Sequence, residues 1–298
     1  MKPKGPQTDS PGDGLLDWLR AGKSLMFVGA HPDDETVVGP LLARAAELSR
    51  AIVVCFTKGE GGRNLTGPQL DGALAEIRAR ELAAACEALG VEHRILGFWN
   101  GLPGGLRNPE NARETPQQAL ARWGKSGRDP QAELVRAVRE WKPDLLITFD
   151  PEQGFTRHKE HRAVSLLASA AFGEAGEPSK HPEQIRRGLS VWRPQRLYYV
   201  VNRFARLRDP QIENVEESRI TELIDGAERS PRRGRSYFEI ALEAMEKHET
   251  QFGAEARNNR EVMERVSREV QQTAVILARA AEDGPGFDPL RSECPRGA

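Results

Sequence analysis

"VGAHPDDETVVG", residues 28–39, places four titratable side chains where an apolar run gives way to a helical pattern. The run before them, "LMFVGA" (25–30), is short, unbroken and bounded by polar residues, so it reads as a buried strand. The residues after them, "ETVVGPLLARAAELSR" (35–50), carry a helical pattern with a break near Gly39-Pro40. A strand that turns through a polar loop into a helix is the first half of a βαβ unit.

The same unit recurs outward from this point. "AIVVCFT" (51–57), "HRILGF" (93–98), "DLLITFD" (144–150) and "RLYYVV" (196–201) read as further strands. Helical patterns over 72–90, 130–141 and 161–173 separate them. Strands that are apolar throughout, alternating with helices, predict an α/β fold with a Rossmann-like, mostly parallel sheet and helices on both faces. Residues 100–128 are rich in Gly, Pro and Asn and are expected to form a long loop. Past residue 201 the alternation stops. A mixed segment, 202–236, holds the basic cluster "SPRRGRSY", and helices are predicted over 237–250 and 255–283. The expected organisation is a lead-in over 1–23 beginning with a disordered stretch and ending in a short helix at 15–24, a core over 24–201, and a C-terminal part, 202–298, completing the domain with a helical extension.

Composition narrows the function class. The 298 residues are 38% hydrophobic, enough for a sizeable core, and the net charge of −1 gives no pull toward nucleic acid or anionic membranes. Three cysteines, Cys55, Cys86 and Cys294, contain no CxxC pair and argue against a disulfide framework. The N-terminus lacks an apolar core of the kind a secretory signal needs, and no stretch approaches the length of a membrane span. A soluble cytoplasmic enzyme or binding protein with no transmembrane segment is expected, and a homo-oligomer is compatible with the sequence.

In an open parallel sheet, ligands bind beyond the carboxyl ends of the strands. Four such ends carry polar or Gly-rich loops: "HPDDE" (31–35), "KGEGGRN" (58–64), "WNGLPGG" (99–105) and "DPEQGFTRHKEH" (150–161). Two of them hold histidine–acid clusters far apart in sequence. Alone, "HPDD" could be a proline-fixed turn whose Asp caps a helix, and "HxxH" could be solvated helix surface. Together on one sheet edge they point to a site. His31 and Asp34 are three apart, as are His158 and His161. Two histidines and a carboxylate from two loops suit Zn²⁺ with a position left for water. They also suit Fe(II) in a non-haem enzyme. Asp33, beside Asp34, is placed to act as a general base, and Asp150 is a candidate to orient a histidine. His93, His181 and His248 are expected to take no part in catalysis.

These residues resemble a known family. "AHPDDE" (30–35), "GEGG" (59–62), "RARELAAACEALGV" (78–91) and "GFTRHKEHRAVS" (154–165) look like the LmbE/PIG-L zinc-dependent de-N-acetylases, over about residues 24–252. The second motif departs from the family's usual His-Pro-Asp-His: here it is His-Lys-Glu-His, with both histidines kept. "KHETQF" (247–252) is similar to a His-x-Ser/Thr-Gln signature near the end of these domains. The resemblance implies zinc ligation by His31, Asp34 and His161, with Asp33 as general base. It implies that His158 stabilises the oxyanion and protonates the leaving amine, and that Arg78 binds the sugar. It also implies hydrolysis of the N-acetyl group of a small-molecule N-acetylglucosamine conjugate. Such conjugates include N-acetylglucosaminyl phosphatidylinositol, precursors of bacterial thiols, glycosylated antibiotics and chitobiose. A non-catalytic sugar-binding relative is the rival within the family; an intact Asp33 argues against it.

Overall fold

The structure is a computed structural model that describes residues 12, 14–67, 72–102, 108–201, 217–253 and 271–281. Most of the expected disordered lead-in over 1–14, residues 202–216 of the expected mixed segment and residues 255–270 of the expected C-terminal helix lie outside these, as does Cys294. In chain order the described elements are α1 (Leu15–Arg20), β1 (Leu25–Gly29), a 3-10 turn (Asp34–Val38), α2 (Gly39–Leu48), β2 (Ala51–Thr57), α3 (Leu74–Leu89) and β3 (Glu92–Phe98). There follow α4 (Pro109–Arg113), α5 (Pro116–Gly124), α6 (Pro130–Trp141), β4 (Leu145–Phe149), α7 (Gly154–Arg157), α8 (Lys159–Glu174), α9 (Pro182–Arg186) and β5 (Arg196–Val201). A 3-10 turn (Glu217–Arg219), β6 (Glu222–Asp225), α10 (Tyr237–Met245), α11 (Glu249–Phe252) and β7 (Gln272–Ala280) complete them.

The sheet has seven strands in the order β3-β2-β1-β4-β5-β7-β6. β1 through β5 run parallel, while β7 is antiparallel to both of its neighbours. β1, β2, β4 and β5 are buried at every position, as the unbroken apolar runs required. Helices cover both faces. On one, α2, α3 and α10 enclose Leu41, Leu82, Leu89 and Ile240 over Phe27 and Val53. On the other, α5, α6 and α8 enclose Trp123, Val138 and Phe172 over Met26 and Val54. Leu15 and Leu19 of α1 join the first of these layers. Cys55 and Cys86 are free and buried in it as small apolar groups. No helix among the described residues is long and apolar enough to cross a membrane.

Two sequence expectations fail. Residues 272–280 are not helix but strand β7, wedged between β5 and β6. A short apolar stretch such as "AVIL" has no period of its own, and the open edge of β5 decides it as a strand. The segment 100–128 is not simply a loop, because α4 and α5 lie within it. Its overlooked signal is "TPQQ": Thr115 caps α5, Pro116 opens it, and Gln118 returns the bond to the Thr115 N–H.

Candidate metal centre

The strand order reverses direction between β1 and β4, and the loops leaving these two strands carry all three histidines of the cluster. After β1 the chain turns sharply. Asp34 folds back so that its Oδ2 accepts from the N–H groups of Ala30 (2.6 Å) and His31 (2.9 Å). That approach needs Gly29: a Cβ there would lie 2.9 Å from the Asp34 Cβ. Asp33, between ligand candidates, has φ 117°, a region that disfavours a side chain. Phe155 (φ 64°) and Arg157 (φ 59°) repeat this just before His158, so backbone strain gathers in both loops that bear the site.

Each of three side chains is tied to the protein at one atom and turns another toward a common point. The His161 Nδ1–H faces the carbonyl of Gly154 at 2.9 Å, so Nε2 faces the other way. The Nε2–H of His31 faces Glu160 Oε2 at 2.7 Å, so Nδ1 points toward Asp34 and His161. Asp34 is anchored through Oδ2, which leaves Oδ1 on the inner side. The three inward atoms converge: Oδ1 is 3.0 Å from His161 Nε2 and 3.7 Å from His31 Nδ1, and the two nitrogens are 3.2 Å apart. Ligands about 2.0–2.1 Å from a tetrahedral ion stand roughly 3.3 Å from one another, so the donor set fits zinc. His158 also brings a ring nitrogen within 4.8 Å of those of His31 and His161, and the three histidines together can hold a metal ion.

The charges agree with a cation site. Burial opposes ionisation of Asp34, but His161 and His31 outweigh it and hold the carboxyl well below its usual range. Burial likewise works against a charged His31, yet Asp34 and Glu160 push it up to about 10, so the cluster attracts positive charge. Burial, with repulsion from Asp34, raises Asp33 to about 6. Burial and the neighbouring His31 and His161 push His158 down to about 2, and its Nδ1 is buried without a partner among the described residues. A neutral ring with an unpaired polar atom at the lip of an ion site is ready to meet a ligand.

Two expected residues have other tasks in the structure. Asp150 does not reach a histidine. Its Oδ1 accepts from the N–H groups of Glu152 and Gln153, and Oδ2 from Arg219. The carboxylate that orients His31 is Glu160, the third residue of the divergent His-Lys-Glu-His motif. Arg78 is 2% exposed, and its guanidinium donates to the carbonyls of Gly59 and Arg63 and to Thr250 Oγ1. It binds the Gly-rich loop to α11 from beneath.

A family profile described as "PIG-L: GlcNAc-PI de-N-acetylase" matches residues 26–172. A 1D-myo-inositol 2-acetamido-2-deoxy-alpha-D-glucopyranoside deacetylase of Frankia casuarinae is 32% identical over 277 residues, covering 83% of this chain and 82% of that protein. The chain belongs to the PIG-L family. A protein of the same name from Streptomyces scabiei is 35% identical, over 58% of this chain and 54% of its own length, so the match spans about half of that relative. The N,N'-diacetylchitobiose deacetylase of Pyrococcus horikoshii shares the PIG-L fold, with a TM-score of 0.60 and 19% identity over 84% of this chain and 79% of that one.

Several residues around this PIG-L site escaped the sequence reading. Asn100 donates to Glu160 Oε2 and accepts from the Gly61 N–H, joining two strand-end loops. Arg122 reaches Glu160 from α5. His248, expected to be idle, is fully buried and pairs with Glu35 at 2.5 Å; the other oxygen of Glu35 accepts from the Asp33 N–H. The "KHETQ" similarity was the available signal for His248. Asn100 lay in the "WNGLPGG" strand-end loop but was not singled out there, and Arg122 belongs to no local pattern.

Proposed function

We propose that the chain hydrolyses the N-acetyl group of an N-acetylglucosamine conjugate at a zinc ion held by His31, Asp34 and His161. The observation that carries the reading is the convergence of His31 Nδ1, Asp34 Oδ1 and His161 Nε2 within 3.0–3.7 Å of one another, each side chain being tied to the protein through its other polar atom. Zinc, when bound there, would supply a Lewis acid that polarises the acetyl carbonyl and acidifies water. Asp33 takes the proton of the attacking water on its carboxylate. A base whose pKa is about 6 is ionised at neutral pH and still basic enough to accept that proton. His158, held neutral by burial and its neighbours, donates a hydrogen bond to the developing oxyanion from its ring. His158 then protonates the departing amine, as the resemblance implies, and its proton is made good from the one that Asp33 took from the water.

The substrate class rests on family membership and on the names of the relatives, which act on a glucosamine–inositol conjugate. The test is metal analysis of the purified chain with an assay of acetate and free amine from a panel of N-acetylglucosaminyl conjugates. Stoichiometric zinc with release of acetate supports the reading. Iron with uptake of O₂ would move the site to the non-haem class, and tight sugar binding without turnover would make the chain a binding relative.

A further inference from the structure

The second metal motif of this chain, His158-Lys159-Glu160-His161, is held by a ring of four charges that reaches it from α5. Arg122 of α5 grips Glu114 with both ends of its fork, Nε to Oε1 at 2.8 Å and Nη2 to Oε2 at 2.9 Å. The same Nη2 donates to Glu160 Oε1 at 2.6 Å. Lys159 Nζ closes the ring on Glu114 Oε2 at 2.8 Å. All four side chains are withdrawn from water: 1% exposed for Glu160, 7% for Lys159, 10% for Arg122 and 15% for Glu114. Two positive and two negative groups balance, which makes such burial tolerable.

Glu160 is the hinge of this arrangement. Its Oε2 takes the Nε2–H of His31 and the amide of Asn100, and its Oε1 takes Arg122. Without Arg122, Oε1 would be buried with no donor facing it among the described residues. The carboxylate would then turn to find one and release the ring of His31. A ring free to turn no longer holds Nδ1 toward Asp34 and His161. Glutamate has one more rotatable bond than aspartate, so this chain's version of the motif needs an external hold, and Arg122 supplies it in two directions. Two side chains fix α5 in turn: the Arg122 guanidinium and the Trp123 indole N–H both donate to the carbonyl of Trp99, just past the end of β3.

We propose that Arg122 is a positioning residue for the metal centre, acting through Glu160 on His31, and that α5 is thereby a structural part of that centre. The inference rests on the metal site proposed above and extends to a segment that the motifs do not reach.

The experiment measures Zn²⁺ affinity of the purified full-length chain by competition with a chromogenic chelator. It compares wild type, Arg122→Met, Glu160→Gln and the double variant. Arg122→Met is expected to weaken zinc binding by about 10–100-fold, the usual effect of losing an outer partner of a ligand. Glu160→Gln is expected to weaken it at least as much, and the double variant no further than Glu160→Gln alone. Equal affinity in wild type and Arg122→Met, or losses that multiply in the double variant, would overturn the proposal. If Arg122→Met does not fold, Arg122→Lys keeps the charge and the stem but loses the fork. It should weaken zinc several-fold in the wild-type background and have no effect on Glu160→Gln; effects in both backgrounds would refute the route through Glu160. A wild-type chain that took up no zinc would bring down both this inference and the hydrolase reading, whereas normal uptake by Arg122→Met would remove this inference alone.

Discussion

At the scale of single residues, the proposed site divides each side chain between two tasks. His31, Asp34 and His161 each give one polar atom to the protein and turn another toward the point where the proposed ion would sit. Replacing His161 with Ala removes one proposed ligand nitrogen and should abolish stoichiometric zinc uptake, read by metal analysis of the folded variant. Asp33 stands apart because burial and Asp34 raise it to about 6. Its working form is the carboxylate, so kcat/KM should rise with pH through about 6 and level off above. Asp33→Asn should retain zinc, flatten that limb, and lower turnover by ~10²–10⁴-fold. Near-normal turnover in that variant would show that the proton goes elsewhere.

At the scale of elements, the turns after the strands hold the chemistry, and small residues let them do so. Gly29→Ala should force Asp34 away from the backbone N–H groups of Ala30 and His31. Crowding of this kind costs about 1–3 kcal/mol, and a chemical melt together with zinc affinity would both register it. Buried arginines brace other elements. Arg139 of α6 is fully buried and donates to the carbonyls of Glu174, Ala175, Glu177, Lys180 and His181 and to the side chain of Gln184. It thereby ties the end of α8 to the start of α9. Arg139→Met would leave several buried carbonyls without donors and should destabilise the chain by at least ~3 kcal/mol, with little change in zinc affinity. Arg233 similarly donates to the carbonyls of Ala88 and Leu89 at the end of α3, so part of the basic cluster "RRGR" is a helix stop.

At the scale of the whole molecule, the parallel core was legible because its strands are apolar at every position, and apolar runs between helical periods admit few other arrangements. The two histidine clusters were legible because strand ends in such a sheet face one edge. What was not legible depended on distant partners. Glu160 takes the orienting role expected of Asp150 because of where His31 lies in space, not because of any local spacing. Arg78 lies under the Gly-rich loop rather than above it, and a sequence does not show on which side of a loop an arginine passes. β7 is a strand because β5 offers it an edge.

The position of β7 matters for the order in which the chain is made. Among the described residues, β6 is joined to the sheet's strand order through β7, whose residues 272–280 are synthesised about fifty positions after it. A nascent chain emerging from the ribosome therefore carries β5 with a naked flank until those residues arrive. A stop codon before residue 272 would spare every residue named at the metal site, yet should yield a product that self-associates, detectable as a shift from discrete species to aggregate in light scattering.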